Sequence, residues 1–525
     1  MPSSFAGAVG PEPTLQPIVT YAGGWTPYAV AQAFALPIQS GYAGSGITVA
    51  IVNDYPPSAA DLNAYVSQLH VQRTGTYATE NVDGGSPRTD MSGLLESTLD
   101  VETVEGLAPA ANVIYYATPD LSSQSLLDAY NQIISDGKAQ VVNMSYGGCE
   151  SLVASGSDDS LFAQGAAQGI AFVAASGDLG DECFDEFGNQ FGVNFPASDP
   201  NVIGVGGTET ATQSCQLGTI ASQSVFNDRC GTGGAQEASG GGTSSMFLLP
   251  SYQAAIGVSG RYRSVPDLAM PAALDAVYLQ GGWVQVNGTS WGAPQISALV
   301  AGLYEFCRTP LANPVQLFYT AYGQKSYGDF TAVTSGDNQY RGDPTYYSAN
   351  GGFSQVSGIG VPNGMAIAQS VCPDRVPVSL APGMRGTLAT GRRGPAQAFT
   401  MSAAPNVRAL ANEGRRAANA PTRVAVVLRA TPSVSEDEQV VIQDLTAAGF
   451  TIVQTFSNHL VIDAQAPASV VSAYFQTAVN DFAQGPYGTR YANVSPLVIP
   501  AAIAPYVQSV LADNIVIAVP QSRLK

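Results

Sequence analysis

Four apolar runs alternating with helical patterns constrain the first 372 residues more than any other feature. GITVAIVND (Gly46–Asp54), NVIYYAT (Asn112–Thr118), AQVVNMSYGG and GIAFVAASGD read as buried strands. SQSLLDAYNQIISDG and the stretch around SLFAQGAAQG read as helices between them. Continuous apolar strands joined by helices predict an α/β domain with a mainly parallel sheet covered on both faces. In such folds catalytic residues gather at the carboxyl ends of the strands.

Charge divides the chain. Residues 1–372 hold 9 Lys+Arg against 31 Asp+Glu, a net of -22, and residues 373–525 hold 12 against 9, a net of +3. Residues 373–421, rich in Pro, Gly, Ala and Arg, read as a linker. Beyond it, TRVAVVLRAT is a strand, SEDEQVVIQDLTAAG a helix, FTIVQTF and HLVIDA a hairpin about Ser457-Asn458, and ASVVSAYFQTA a second helix. That order predicts a small ferredoxin-like α+β domain over 422–525.

A formal net charge of -19 disfavours nucleic acid and anionic membrane as partners, and no apolar run is long enough to span a bilayer. Charged residues make up only 12% of the chain, which suits an acidic extracellular environment. Six cysteines lie far apart with no Cys-x-x-Cys pair, and only two histidines are present, so a zinc cluster is disfavoured. Disulfides between neighbours in sequence are expected: Cys149–Cys183, Cys215–Cys230 and Cys307–Cys372. The first residues, MPSSFAGAVGPEPT, lack the basic and apolar regions of a secretory signal. Secretion is therefore expected from the cysteines and composition alone. The chain is expected to be a monomer.

The chemistry concentrates in a few segments. In Asn287-Gly288-Thr289-Ser290-Trp291-Gly292-Ala293-Pro294 a turn feeds an apolar helix. Ser290 would sit at that helix's N-terminus, as a nucleophile or as an ordinary cap. A serine nucleophile usually needs histidine. Here only His70 and His459 exist, and both read as surface or structural residues. Carboxylates can replace histidine when their pKa values rise. Glu96 and Asp100 stand four apart on one helix face, where two close carboxylates share a proton. Glu102 and Glu105 are close by, so spacing alone does not select the pair, and a solvated acidic face fits as well. Asp178, at the end of the fourth strand, is either a turn aspartate or, protonated, an oxyanion donor.

These segments together resemble the sedolisin, or serine-carboxyl peptidase, family. LLESTLDVETVEGLAP, VVNMSYGG, AASGDLG, NFPASDPNVIGVGGTE, SGGGTSSMFLLPSYQ, SVPDLAMPA and NGTSWGAP carry the likeness in order over about Thr26–Val371. The resemblance implies a subtilisin-like fold and acid endopeptidase activity. It assigns Ser290 as nucleophile, Glu96 as base, Asp100 as its partner and Asp178 as oxyanion support. Ser145, Tyr146 and Gly147 would bind substrate backbone, with Tyr146 where the family has tryptophan. It also implies a structural calcium site of Asp329, Phe330, Asn350, Gly352 and Ser354, with Ser354 in place of an aspartate. Residues 422–525 resemble the family's pro-domain, which normally precedes the catalytic domain. As an intramolecular inhibitor it would dock through opposite charge near neutral pH and loosen as carboxylates protonate. Arg392-Arg393 and Arg415-Arg416 would offer cleavage points in the linker. An esterase or transpeptidase with the same residues, or an inactive secreted binding protein, are the competing readings. A pepsin-type enzyme is disfavoured because no Asp-Thr-Gly or Asp-Ser-Gly occurs.

Overall fold

A computed structural model describes residues 20–21, 23–87, 91–152, 157–185, 188–210, 223–228, 237–311, 313–324, 328–375, 401–402, 407, 410–520 and 523–524. The expected parallel sheet is present. Its strands run in the order Val202–Glu209, Ala171–Ala175, Val141–Met144, Thr48–Asn53, Asn112–Ala117 and Tyr77–Asn81, all parallel. Leu268–Pro271 adds a further parallel partner to Val202–Glu209, and Ser224–Val225 an antiparallel one. The central strands are buried on both sides, which explains why they read as unbroken apolar runs. No helix among the described residues is long and apolar enough to cross a membrane.

Two helices carry the centre of one face. Thr289–Cys307 lies across five of the strands, and every residue of it except Glu305 is buried. Met91–Leu107 packs beside it. Gly292 permits the close approach, because a Cβ there would lie 3.0 Å from Val205 Cγ1. The opposite face is covered by Ser123–Asp136 and Ser157–Ala167. Cys149–Cys183 and Cys307–Cys372 are closed as expected. Cys215 and Cys230 lie outside the described residues.

The C-terminal domain has the strand order Val507–Leu511, Pro421–Leu428, Val461–Pro467, Thr451–Thr455, antiparallel throughout, with helices Val434–Ala447 and Ala468–Tyr474. That is the ferredoxin-like arrangement expected. Its boundary falls earlier than 422, however. Met401–Ser402 pairs with Leu497–Val498, and Ala411–Arg415 joins a three-stranded sheet with Val479–Ala483 and Thr489–Asn493. The Pro-to-Arg composition of 373–421 hid these short strands. Arg415-Arg416 thus belongs to a paired strand and its edge and not to a free linker. Arg415 is in a strand, while Arg416 bonds Asp481 at 2.5 Å and lies over the Tyr491 ring. Arg392-Arg393 lies outside the described residues.

The two domains meet over Ser123–Asp136, Ser157–Ala167 and their flanks. Arg423 is central. Its guanidinium bonds Asp83 (3.0 and 3.1 Å) and Asp128 (2.9 Å) of the N-terminal domain and Asp463 (2.6 Å) of its own. Asp83, Asp128 and Asp463 are close enough to hold a metal ion, but Arg423 already occupies their centre. Arg490 pairs with Asp120 at 2.7 Å, and Ser509 Oγ lies 2.7 Å from Ser157 Oγ.

Opposite charge is only part of this contact, because acids outnumber bases. Burial, with help from Asp513, pushes Asp158 up to about 7, and burial pushes Asp513 up to about 6. Groups raised in the folded state stabilise it fully below their unfolded value, near 3.8, and lose that contribution as pH rises through 6–7. These two groups therefore favour the folded chain on mild acidification. The melting temperature of the full chain should rise from pH 8 to pH 5, and Asp158→Asn should flatten that rise in a calorimetric pH series. A wild-type melting temperature that falls over this range would refute the assignment.

Candidate active site

The turn into the long central helix begins at Gly288, whose φ of 135° suits only glycine. Ser290 follows at the first turn, fully buried. Its Oγ donates to Glu96 Oε2 at 3.3 Å. Pro294, four residues on, has no N–H and so leaves the Ser290 carbonyl without its helical donor. Ser145 Oγ supplies that contact at 3.1 Å. It also donates to Asp100 Oδ1 at 2.5 Å.

The helix Met91–Leu107 separates its four acids into two jobs. Glu96 and Asp100, both fully buried, face Ser290 and Ser145. Glu102 accepts from Tyr278 N at 2.9 Å, and Glu105 pairs with Arg73 at 2.9 Å. Spacing alone left this choice open, and tertiary packing makes it. Burial pushes Asp100 up to about 8, against the opposing bonds from Ser145 and Asn143. Burial thus favours the neutral form of the Asp100 carboxyl.

Asp178 closes the third side. It follows Gly177 at φ 115° and accepts from Thr289 N at 2.7 Å, which sets its carboxyl beside the turn that carries Ser290. Thr289 Oγ1 in turn donates to Gly177 O at 3.0 Å. Neither histidine takes part. His70 is exposed past the end of a helix, and His459 Nδ1 lies 2.7 Å from Glu438 in the C-terminal domain.

Sequence reasoning missed Asn143. Its Nδ2 donates to Ser145 Oγ at 3.0 Å, and its Oδ1 accepts from Ser297 Oγ at 3.0 Å, so it ties the acid pair to the central helix. The available signal was a polar residue inside the otherwise apolar VVNM strand.

The three residues expected to bind substrate do different things. The Ser145 side chain serves Asp100. The Tyr146 hydroxyl meets that of Tyr130 at 3.0 Å and is fully buried. The backbone of Tyr146 and Gly147 is paired, antiparallel, with Pro520 and Val519 of the chain's own C-terminal tail. Further on, Arg523 and Leu524 pair with Asn287 and Val286, just before the Ser290 turn. Upstream, Gln484 clamps Val516 through two bonds of 2.8 and 2.9 Å, and Ile517 N donates to Leu121 O at 3.1 Å. The tail thus lies along the strand on one side of Ser290 and along the strand on the other.

The residues expected to hold calcium do not fit the ion. Asp329 is the one carboxylate among them, and Ser370 Oγ donates to both its oxygens at 2.9 and 2.8 Å. The Ser354 hydroxyl is engaged with that of Ser357 at 2.8 Å. Asn350 Oδ1 accepts from Gly352 N at 2.9 Å. Phe330 sits in a two-residue strand with Thr331. Calcium takes six to eight oxygens, usually from several carboxylates.

The subtilase family model matches residues 44–322, and the pro-kumamolisin activation domain matches 423–514. Kumamolisin of Bacillus sp. (strain MN-32) is 31% identical over 370 residues, 66% of this chain and 64% of that one. Sedolisin of Pseudomonas sp. (strain 101) is 34% identical over 302 residues, 54% and 50% respectively. Tripeptidyl-peptidase SED2 of Arthroderma otae is 29% identical over 367 residues, 59% and 58%. The chain thus spans between half and just under two thirds of the length of these relatives. The structure of Pseudomonas sedolisin in complex with two molecules of pseudo-iodotyrostatin matches with a TM-score of 0.59 and 27% identity, covering 68% of this chain and all of that one. This chain belongs to the subtilase family of serine peptidases, in its sedolisin branch, with an activation domain that follows the catalytic domain instead of preceding it.

Proposed function

We propose that this chain is a secreted serine-carboxyl endopeptidase that works in acid. The observation that carries the reading is the Ser290 hydroxyl bonded to buried Glu96, beside a buried Asp100 carboxyl whose pKa burial raises. In the reaction Ser290 Oγ attacks the peptide carbonyl and its proton passes to Glu96. Asp100, neutral, supports the pair by hydrogen bonding. With its proton it can also return the bond to Ser145, freeing the single Ser145 proton for the Ser290 carbonyl. Asp178 donates to the oxyanion, which requires its carboxyl to carry a proton. Glu96 then protonates the leaving amine. Water hydrolyses the acyl-enzyme through the same base, which restores Ser290.

An endopeptidase is favoured over a tripeptidyl exopeptidase by the tail. Polypeptide lies along both flanking strands and continues upstream through Ile517 and Val516. A cleft that accepts a continuous chain has no wall to stop a free amino terminus. The same contact makes the C-terminal domain an intramolecular inhibitor, held against the cleft by the Arg423 cluster.

Ser290→Ala, Glu96→Gln and Asp178→Asn should each remove at least ~100-fold of casein cleavage at pH 3–4, the usual loss for an oxyanion donor or more, while circular dichroism stays native. Wild-type activity in Glu96→Gln would show that the base is wrong. A chain ending at Ala518 should cleave a short peptide faster at early times than the full chain, since nothing then covers Tyr146 and Gly147. Equal initial rates would contradict inhibition by the tail. Because the Asp329 loop stands on hydrogen bonds, EDTA should leave the melting temperature and the rate unchanged. A fall that added calcium reverses would restore the ion.

A further inference from the structure

Beside the cleft lies a cavity of about 370 Å³ that shares both of the cleft's walls. One wall runs on from the strand that the tail occupies: Glu150 follows Cys149, and the disulfide joins Cys149 to Cys183 in the cavity lining. The other continues the Asp178 loop, three residues on at Asp181. Backbone bonds fix this loop. Gly241 N donates to Gly180 O at 3.0 Å and Gly192 N to Asp181 O at 3.0 Å.

The lining is acidic and, among the described residues, holds no Lys or Arg. Its two carboxylates are not equivalent. Glu150 is satisfied by the Ser244 hydroxyl at 2.8 Å, the Ser245 hydroxyl at 2.7 Å and the Ser245 amide. Asp181 is only 8% exposed; its carboxyl takes a hydrogen bond from the Thr345 side chain, while its Oδ1 has no hydrogen-bond partner among the described residues. Leaving a buried acceptor unmade costs on the order of 1–3 kcal/mol, so this atom calls for a donor. Phe191, 67% exposed, and Tyr347 also line the cavity. Aromatic faces suit the apolar stem and the cationic head of a long basic side chain.

We propose that this cavity is a specificity subsite, taking a Lys or Arg side chain of a polypeptide laid along Tyr146–Cys149, with Asp181 as the partner of its cationic head. The assignment as a substrate subsite rests on the peptidase reading. The cation pocket itself does not. A small aryl amidine, p-aminobenzamidine, fits such a pocket whether or not the tail is docked, and its fluorescence reports desolvation. Titrated into the full chain near pH 6, it should bind saturably. Binding should be unchanged in Ser290→Ala and at least ten-fold weaker in Asp181→Asn. Thr345→Lys, an exposed lining position where an added cation should fill the cavity, is the second variant and should weaken it equally. No saturable binding, or equal affinity in all four proteins, overturns the proposal. Mapping the cuts in an acid digest of denatured protein then reads the sequence consequence. Lys and Arg should be enriched several-fold at one position relative to the cut by the wild type, and not by Asp181→Asn. Enrichment that survives in Asp181→Asn overturns it. Probe binding through Asp181 without any cleavage supports the cation pocket and overturns the peptidase reading, so the two failures are told apart.

Discussion

Everything in the catalytic domain serves one costly arrangement: two carboxyl groups, one turn apart on a helix, sealed from water against a serine hydroxyl. In water Glu96 and Asp100 would both ionise below pH 5 and would not share work with Ser290. Burial disfavours the charged form, and Asp100 shifts to about 8. With the tail in place, the sheet, the central helix and the acid helix leave the pair fully buried. Pro294 and Asn143 show how finely the seal is made. One frees a carbonyl for Ser145, and the other holds Ser145 in place.

Much of this was legible in the sequence because its signals are local. Apolar runs between helical patterns gave the parallel sheet, since strands buried on both faces have no polar side to reveal. The ferredoxin-like order was readable for a similar reason, from short strands and helices in sequence. Glu96 and Asp100 could not be told from Glu102 and Glu105 by spacing, because all four lie on one helix. The distinction is made by Ser145 and Ser290 on one side and Tyr278 and Arg73 on the other. The resemblance supplied the answer that periodicity could not.

What stayed hidden depends on contacts between distant segments. Nothing near Arg423 announces that Asp83 and Asp128 will surround it. Counting charge on each domain does not register the burial of Asp158 and Asp513, whose raised pKa values favour the folded chain in mild acid. The tail is the sharpest case. Val519 and Pro520 look like any short apolar end, yet they add a strand to the sheet edge beside Ser290. Placing the activation domain last changes its consequence. On the proposed reading, trimming the tail removes the segment that covers Tyr146 and Gly147, while the rest of the domain stays covalently attached.

The central claim is that Ser290 becomes acylated with no histidine in reach. The most direct measurement is the mass of the protein quenched in strong acid during steady-state turnover of an activated peptide ester, followed by peptide mapping. The account predicts a covalent acyl group on the peptide containing Ser290, absent when Glu96 is replaced by glutamine. Turnover with no adduct on Ser290 at any quench time, or an adduct on another residue, would contradict it.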